Sequence, residues 1–285
     1  PHMSFVNGEE DSTFLKCRFE AMKLHHFFES MEFSDEVFKI LEWIPLCMEG
    51  REDIAGCAAT RIATGTDVNF GVITRKLIAS LAEDKHCNVH YNAEVEHIER
   101  SENKGKWKLS IETNNNGMLT KEYDHIFIGA GGASLILLEK SDIPEAKGYA
   151  GFPISGQWLK CSKKEIVSKH DAKVYGKASS GSPPMSVPHL DRRIIDGEPA
   201  LLFGPFAGFS TKFLKKGSYI DLLRSLEPGN IFPMIQAGVS NLNLVSYLIE
   251  QVFMSKDDKY NELCKFYPRA VKEDWELLVA GQRVQ

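Results

Sequence analysis

The sequence predicts an α/β fold with α+β elements, built in two parts. Three observations predict it. An amphipathic helix ending near Glu83 leads into short alternating strands. The apolar run Tyr123–Ile128 meets Gly129-Ala130-Gly131-Gly132 just before a helical Ser134–Lys140. From Phe152 to Phe213, Gly, Pro and Ser punctuate short apolar runs. A length of 285 residues suits roughly two domains.

In chain order, Asp11–Met48 reads as helical. Phe14, Leu15, Phe19, Met22, Leu24 and Phe27 follow a mostly i, i+3, i+4 spacing, Ser34–Val37 marks a second helix start, and Pro45 ends or interrupts that second helix. The stretch 49–65 is Gly- and Ala-rich and reads as a connector or short strand. Asp67–Gly71 precedes a helix to Glu83 with Ile73, Leu77, Ile78 and Leu81 on one side. Strands are expected at Asn88–Tyr91, Ala93–Glu99 and Lys106–Glu112, where Trp107, Leu109 and Ile111 alternate. Asn114–Gly117 is a hairpin turn, because Asn-Gly accepts the positive φ such turns need. Tyr123–Ile128 reads as a buried strand. Further strands are expected at Ile154–Leu159, Ala172–Tyr175, Met185–His189 and Ala200–Phe203, giving a mainly antiparallel sheet. After Ser218 the chain turns helical, with a stripe from Leu242 to Phe253 and a short last helix at Glu273–Val279.

Composition narrows the function. Charged residues make up 26% and hydrophobic ones 43%, which excludes general disorder. A net charge of -5 argues against a surface built wholly to grip nucleic acid. No apolar run reaches the ~20 residues of a membrane helix, although peripheral contact needs only a patch. The six cysteines show no paired spacing, so neither a disulfide framework nor a zinc ribbon is expected.

Several residues carry possible chemistry. A strand ending in Gly129–Gly132 before a helix lets a ligand approach the backbone, although the complete G-x-G-x-x-G fingerprint occurs nowhere. Gly208-Phe209-Ser210-Thr211-Lys212 fails the nucleophile-elbow pattern at its last position; Lys212 reads better as an anion contact. His2 and His189 each follow a proline beside a short apolar strand. The other histidines show no metal spacing, so no metal is expected. Arg61, Arg75, Arg192, Arg193 and Arg283 stand beside small or apolar residues, and arginine suits bidentate carboxylate binding.

Taken together, the segments Pro1–Val6, Gly65–Gly71, Ile128–Ala133, Tyr149–Pro153, Ala172–Ala178, Pro183–Asp191, Phe203–Ala207 and Ala280–Gln285 closely resemble the malate:quinone oxidoreductases. Parts also look like the related 2-hydroxyglutarate oxidases. The resemblance implies a flavoprotein with a FAD-binding Rossmann-type domain and an antiparallel substrate domain like that of D-amino-acid oxidase. It implies oxidation of (S)-malate to oxaloacetate in the tricarboxylic acid cycle. Electrons would pass to FAD and then to membrane quinone. Such enzymes are peripheral proteins on the cytoplasmic side of the bacterial inner membrane, and they use no NAD.

On this resemblance, residues 1–60 and 151–285 would build the substrate domain and 61–150 part of the FAD-binding domain. The family's glycine-rich βαβ start and its last flavin-contacting segment are not in the sequence. The chain is therefore expected to be a middle fragment, inactive by itself and poor at holding FAD. Its segments match residue types expected in named roles. His189 is the expected base, with His2 second. Arg61, Asn69, Arg192, Lys212 and Arg283 are expected to hold substrate. Phe70, Val95, Gly129, Ala130, Gly131 and Gly132 are expected to contact FAD. The competing expectations are an oxidase of 2-hydroxyglutarate or of an amino acid, and a non-catalytic binding domain on the same scaffold.

Overall fold

The structure is a computed structural model that describes residues 1–114, 117–177 and 187–284. The chain opens with β1 (His2–Val6), α1 (Glu9–Lys23), β2 (Glu32–Ser34), α2 (Val37–Trp43), α3 (Pro45–Met48) and β3 (Ala58–Ile62). Next come α4 (Phe70–Glu83), the strands β4 (Ala93–Arg100), β5 (Trp107–Thr113) and β6 (Gly117–Tyr123), and α5 (Ser134–Lys140). Then follow β7 (Pro153–Cys161), α6 (Lys164–Val167), β8 (Lys173–Tyr175), β9 (His189–Ile195) and β10 (Glu198–Phe209). The last elements are α7 (Asp221–Arg224), α8 (Ile231–Ser240), α9 (Leu242–Phe253), α10 (Lys256–Phe266) and β11 (Glu276–Val284).

By contacts the chain divides into two units. The first holds residues 1–69, 156–207 and 246–279; the second holds 70–155, 208–245 and 280–285. Residues 208–245 thus group with 70–155, where the sequence reading assigns them to the substrate domain.

The first unit is organised by an eight-stranded sheet in the order β11-β7-β10-β9-β8-β1-β3-β2. Pairings β1·β3, β2·β3, β8·β9 and β9·β10 are antiparallel, and β1·β8 is parallel. Side chains alternate across a strand, so register sorts them onto two faces. Met3 opposes Val174, Val174 opposes Leu190, and Leu190 opposes Phe203. All four are buried, and they join Ile40, Ile44, Leu263, Phe266 and Trp275 in one core. The other face carries polar groups. The helices obey local rules. α1 begins after Gly8, with Glu9, Glu10 and Asp11 in its first turn and Lys23 in its last, matching the helix dipole. α10 starts with a capping box between Ser255 and Asp258.

The second unit holds α4, α5, α7, α8 and the antiparallel meander β4-β5-β6. Thr113 pairs with Gly117, whose φ is 65°, so the hairpin stands where the Asn-Gly signal put it. Asn115 and Asn116 themselves lie outside the described residues.

Several expected elements are corrected. The region 11–48 is not wholly helical: β2 interrupts it, paired to β3 through Phe33 and Thr60. Asn88–Tyr91 forms no strand, and β6 ends at Tyr123, so Tyr123–Ile128 is not a buried strand. Phe127 is 90% exposed, showing that an apolar run alone does not make a strand without a neighbour to pair with. Glu273–Val279 is not a helix. A short 3-10 turn at Lys272–Asp274 is followed by β11, which lies beside β7 in the sheet and places Glu276 3.0 Å from Lys160. Sheet pairing there overrides local propensity. The expected strand Met185–His189 begins outside the described residues, and β9 starts at His189.

Candidate active site

The polar face of the first unit's sheet gathers side chains from four strands. In register, His2 opposes Lys173, Lys173 opposes Asp191, and Tyr175 opposes His189. The rings form a continuous row. His2 and Tyr175 have centroids 5.1 Å apart, Tyr175 and His189 4.6 Å, and His189 and Trp158 5.0 Å. Gly204 opposes His189. A Cβ at Gly204 would stand 3.3 Å from the Trp158 ring, so the glycine leaves the space that the indole uses.

His189 is 6% exposed. Its Nδ1 lies 3.1 Å from the Val187 carbonyl oxygen. A carbonyl can only accept, so Nδ1 carries the proton and Nε2 keeps its lone pair. Nε2 is buried, with no hydrogen-bond partner among the described residues. Burial first, and then the Lys173 charge, lower the imidazole pKa to about 4, so the ring is neutral at pH 7. A neutral imidazole with a free Nε2 is a proton acceptor.

The charges beside it form a chain. Asp191 is 4% exposed and takes the Lys173 ammonium at 3.1 Å. The Arg193 guanidinium stands 3.8 Å from the same carboxylate and 2.6 Å from Asp67, and it donates to the Val68 carbonyl at 3.0 Å. Asp67 also accepts from the Ile194 amide at 2.8 Å. Burial pushes the Asp191 carboxyl up, against the pull of Lys173 and Arg193. Arg193 therefore staples the 67–69 segment to β9, and Asn69 adds a bond to Asp196 at 3.3 Å. At the β1 end, His2, Ser4 and Thr60 share a small pocket with Leu15, Arg18 and Phe19.

The structure sorts the expected residues. It brings His189 and His2 to one face, joined through Tyr175. It places Asn69 in the segment pinned to β9. It does not bring Arg61 or Arg192 to that face. Arg61 opposes Met3, lies 3.1 Å from Glu32, and has its guanidinium 5.5 Å from the centre of the Trp43 ring. Arg192 opposes Leu201 and pairs with Asp171. In the second unit, Phe70 begins α4 and is exposed. Val95 sits at a register shift between β4 and β5. Lys212 lies 4.2 Å from the Tyr219 ring centre. Arg283 belongs to β11, and its side chain lies outside the described part of the structure.

The glycine run divides. Gly131 has φ +58° and open space where a Cβ would stand; a Cβ at Gly129 would meet only the Phe127 ring, at 3.6 Å. At Gly132 a Cβ would collide with the Phe213 carbonyl oxygen. Gly132 is thus required by packing, whereas Gly129 and Gly131 leave backbone open to a ligand.

Sequence reading overlooks Lys173, Tyr175, Asp191 and Trp158. The signal is present in the alternation of Lys173 and Tyr175 about Val174, and of His189 and Asp191 about Leu190. Only the strand register shows that these two short alternations share one face.

Comparison with known proteins adds the lineage. The family model for malate:quinone oxidoreductase (Mqo) matches residues 1–285. A probable malate:quinone oxidoreductase of Chromohalobacter salexigens is 54% identical over 287 residues, covering 100% of this chain and 56% of that protein. One from Flavobacterium psychrophilum is 53% identical, covering 100% of this chain and 58% of the relative. The chain therefore spans a little over half the length of the curated relatives it matches. Among solved structures, a glycine oxidase from Geobacillus kaustophilus superposes with a TM-score of 0.56 at 14% identity, covering 99% of this chain and 58% of that one. That likeness shows the fold, an α/β arrangement of the kind the sequence predicts. With every residue inside the family model and half of them shared with its members, the chain belongs to the malate:quinone oxidoreductase family.

Proposed function

We propose that the protein oxidises (S)-malate to oxaloacetate with FAD as cofactor and a membrane quinone as final acceptor, acting as a peripheral membrane protein in the tricarboxylic acid cycle. Family membership supports the reaction class. The observation that carries the chemistry is the buried Nε2 of His189, without a hydrogen-bond partner among the described residues, on a face with a lysine and away from the core.

The residues fit a flavin. Gly129 and Gly131 offer open backbone, and Ala130 adds only a methyl group. Gly129, Ala130 and Gly131, with Val95 and Phe70, are the groups we assign to hold FAD, and Gly132, packed on Phe213, fixes the end of that turn. When bound, FAD supplies the acceptor for the hydride that leaves malate C2. His189 does the proton work: its Nε2 takes the C2 hydroxyl proton, and the resulting imidazolium stays fixed through Nδ1–H and the Val187 carbonyl. Tyr175 and Trp158 hold the ring in place. His2 remains the second candidate base, on the other side of Tyr175 in the row. Among the groups expected to hold substrate we favour Asn69, and its bond to Asp196, next to the end of β9, supports that choice.

The test is substrate-dependent dye reduction by the FAD-loaded full-length protein, comparing (S)-malate, 2-hydroxyglutarate and glycine. Malate should be preferred by kcat/KM. A preference for 2-hydroxyglutarate or glycine would replace the substrate assignment. No reduction with any of them, FAD being bound, would favour a non-catalytic scaffold.

A further inference from the structure

We infer that Lys173 receives a carboxylate of the substrate on the His189 face, with Asp191 as the positioning residue that holds its ammonium there. The inference rests on the function proposed above and names a substrate-binding group that sequence reading does not choose.

The polar face carries cations as well as rings. Strands β1, β8 and β9 place two of them there, Lys173 and Arg193. Arg193 is committed to the protein: one nitrogen to Asp67, one to the Val68 carbonyl, and a third toward Asp191. It serves as a brace. Lys173 has one hydrogen-bond partner among the described residues, Asp191, at 3.1 Å. An ammonium has three donors, so two remain for a ligand. The Lys173 side chain is 29% exposed whereas the Asp191 side chain is 6%, so the lysine is the member of the pair open to an incoming molecule.

The span is suitable. Lys173 lies diagonally across from His189, one directly opposite Asp191 and the other opposite Tyr175. Diagonal neighbours on paired strands stand roughly 7–8 Å apart. A hydroxy-diacid placing its alcohol at His189 Nε2 can reach the Lys173 ammonium with a carboxylate across that distance. Arg61 and Arg192 cannot take this role from the opposite face. Arg18 lines the pocket beside His2, on the far side of Lys173 from His189.

Asp191 orients the ammonium and offsets its charge in the free protein. Removing Lys173 alone would leave the buried Asp191 carboxylate with only the Arg193 guanidinium, 3.8 Å away, to offset its charge. The variant that separates binding from folding is therefore the neutral pair K173Q/D191N, alongside K173R and K173Q.

The experiment uses the FAD-loaded full-length protein and two probes. One is (S)-malate turnover; the other is succinate, which has two carboxylates and no alcohol, followed through the flavin absorbance. K173Q and K173Q/D191N should raise the malate KM and the succinate Kd together, each by about tenfold or more, with a smaller fall in kcat. K173R should restore most of the loss. The acid limb of kcat/KM should also move to higher pH in both neutral variants, since Lys173 is the foremost charge opposing protonation of His189. His2, Arg193, Asp191 and Tyr175 are the other ionisable groups facing that ring. An unchanged KM and succinate Kd in K173Q/D191N would overturn the inference. If the wild type binds succinate through Lys173 but does not turn over malate, the inference stands and the proposed substrate falls.

Discussion

Tyr175 and His189 face each other across β8 and β9 with ring centroids 4.6 Å apart and planes inclined by 34°. The imidazole is thus packed between the phenol ring and Trp158, whose ring centroid lies 5.0 Å away with the planes inclined by 77°. The ring of Tyr175, rather than its hydroxyl, makes this contact. Tyr175→Phe should stay within about twofold of the wild-type kcat/KM, whereas Tyr175→Ala should lose about tenfold or more by letting the imidazole turn. Steady-state kinetics on the two variants check this.

The pH dependence of turnover follows from the same imidazole. His189 titrates at about 4 in the ligand-free protein, so kcat/KM should hold nearly level down to about pH 5 and fall below it. A bound dicarboxylate brings negative charge beside the imidazole and raises its pKa. The acid limb of kcat should therefore lie at higher pH than that of kcat/KM. Coincident limbs would contradict the assignment.

Stability should carry a matching signature. His170 and His189 both have folded pKa values lowered to about 4 from 6.5, chiefly by burial. Between those values the unfolded chain binds more protons, so both groups make stability rise with pH, each by roughly 3 kcal/mol across the window. Glu139 works the other way. Burial and the nearby Glu227 raise its pKa to about 7 from 4.5, so its contribution falls as pH rises through that range. Melting temperatures from pH 4 to 7 should show a shallower rise in His189→Asn and a steeper one in Glu139→Gln.

The glycine run offers a contrast of two neighbours. Gly132→Ala drives a methyl group into the Phe213 carbonyl and should cost about 3 kcal/mol or more. Gly129→Ala meets only an exposed ring at 3.6 Å, so it should keep the wild-type melting temperature while lowering the FAD bound per chain. Thermal unfolding and the flavin-to-protein absorbance ratio separate the two effects.

Sequence signals are legible where local physics decides the structure. The stripe Ile73, Leu77 and Leu81 belongs to α4, β5 and β6 pair from Thr113 and Gly117 on either side of the Asn-Gly signal, and the Trp107–Ile111 alternation is β5. They mislead where a distant partner decides. Trp275–Val279 has the apolar content of a helix or a strand, and its place beside β7 selects the strand. Tyr123–Ile128 carries strand-forming residues but has no pairing among the described residues beyond Tyr123. The site follows the same division. His189 is named in the sequence through the resemblance of its segment, since residue pattern alone does not separate it from His2, which also follows a proline beside a short apolar strand. Lys173 and Asp191 are not, because they become neighbours only through a register that joins residues 18 positions apart. Arg192 and Arg193 differ by one position, and strand alternation sends them to opposite faces.

The most direct measurement is the anaerobic rate of flavin bleaching by (S)-malate in the FAD-loaded full-length protein, wild type against His189→Asn. Asparagine keeps the volume close and removes the proton acceptor. Bleaching should be rapid in the wild type and slower by about 10²–10⁴ in the variant, at unchanged FAD content. Equal bleaching rates in the two proteins would contradict the His189 assignment.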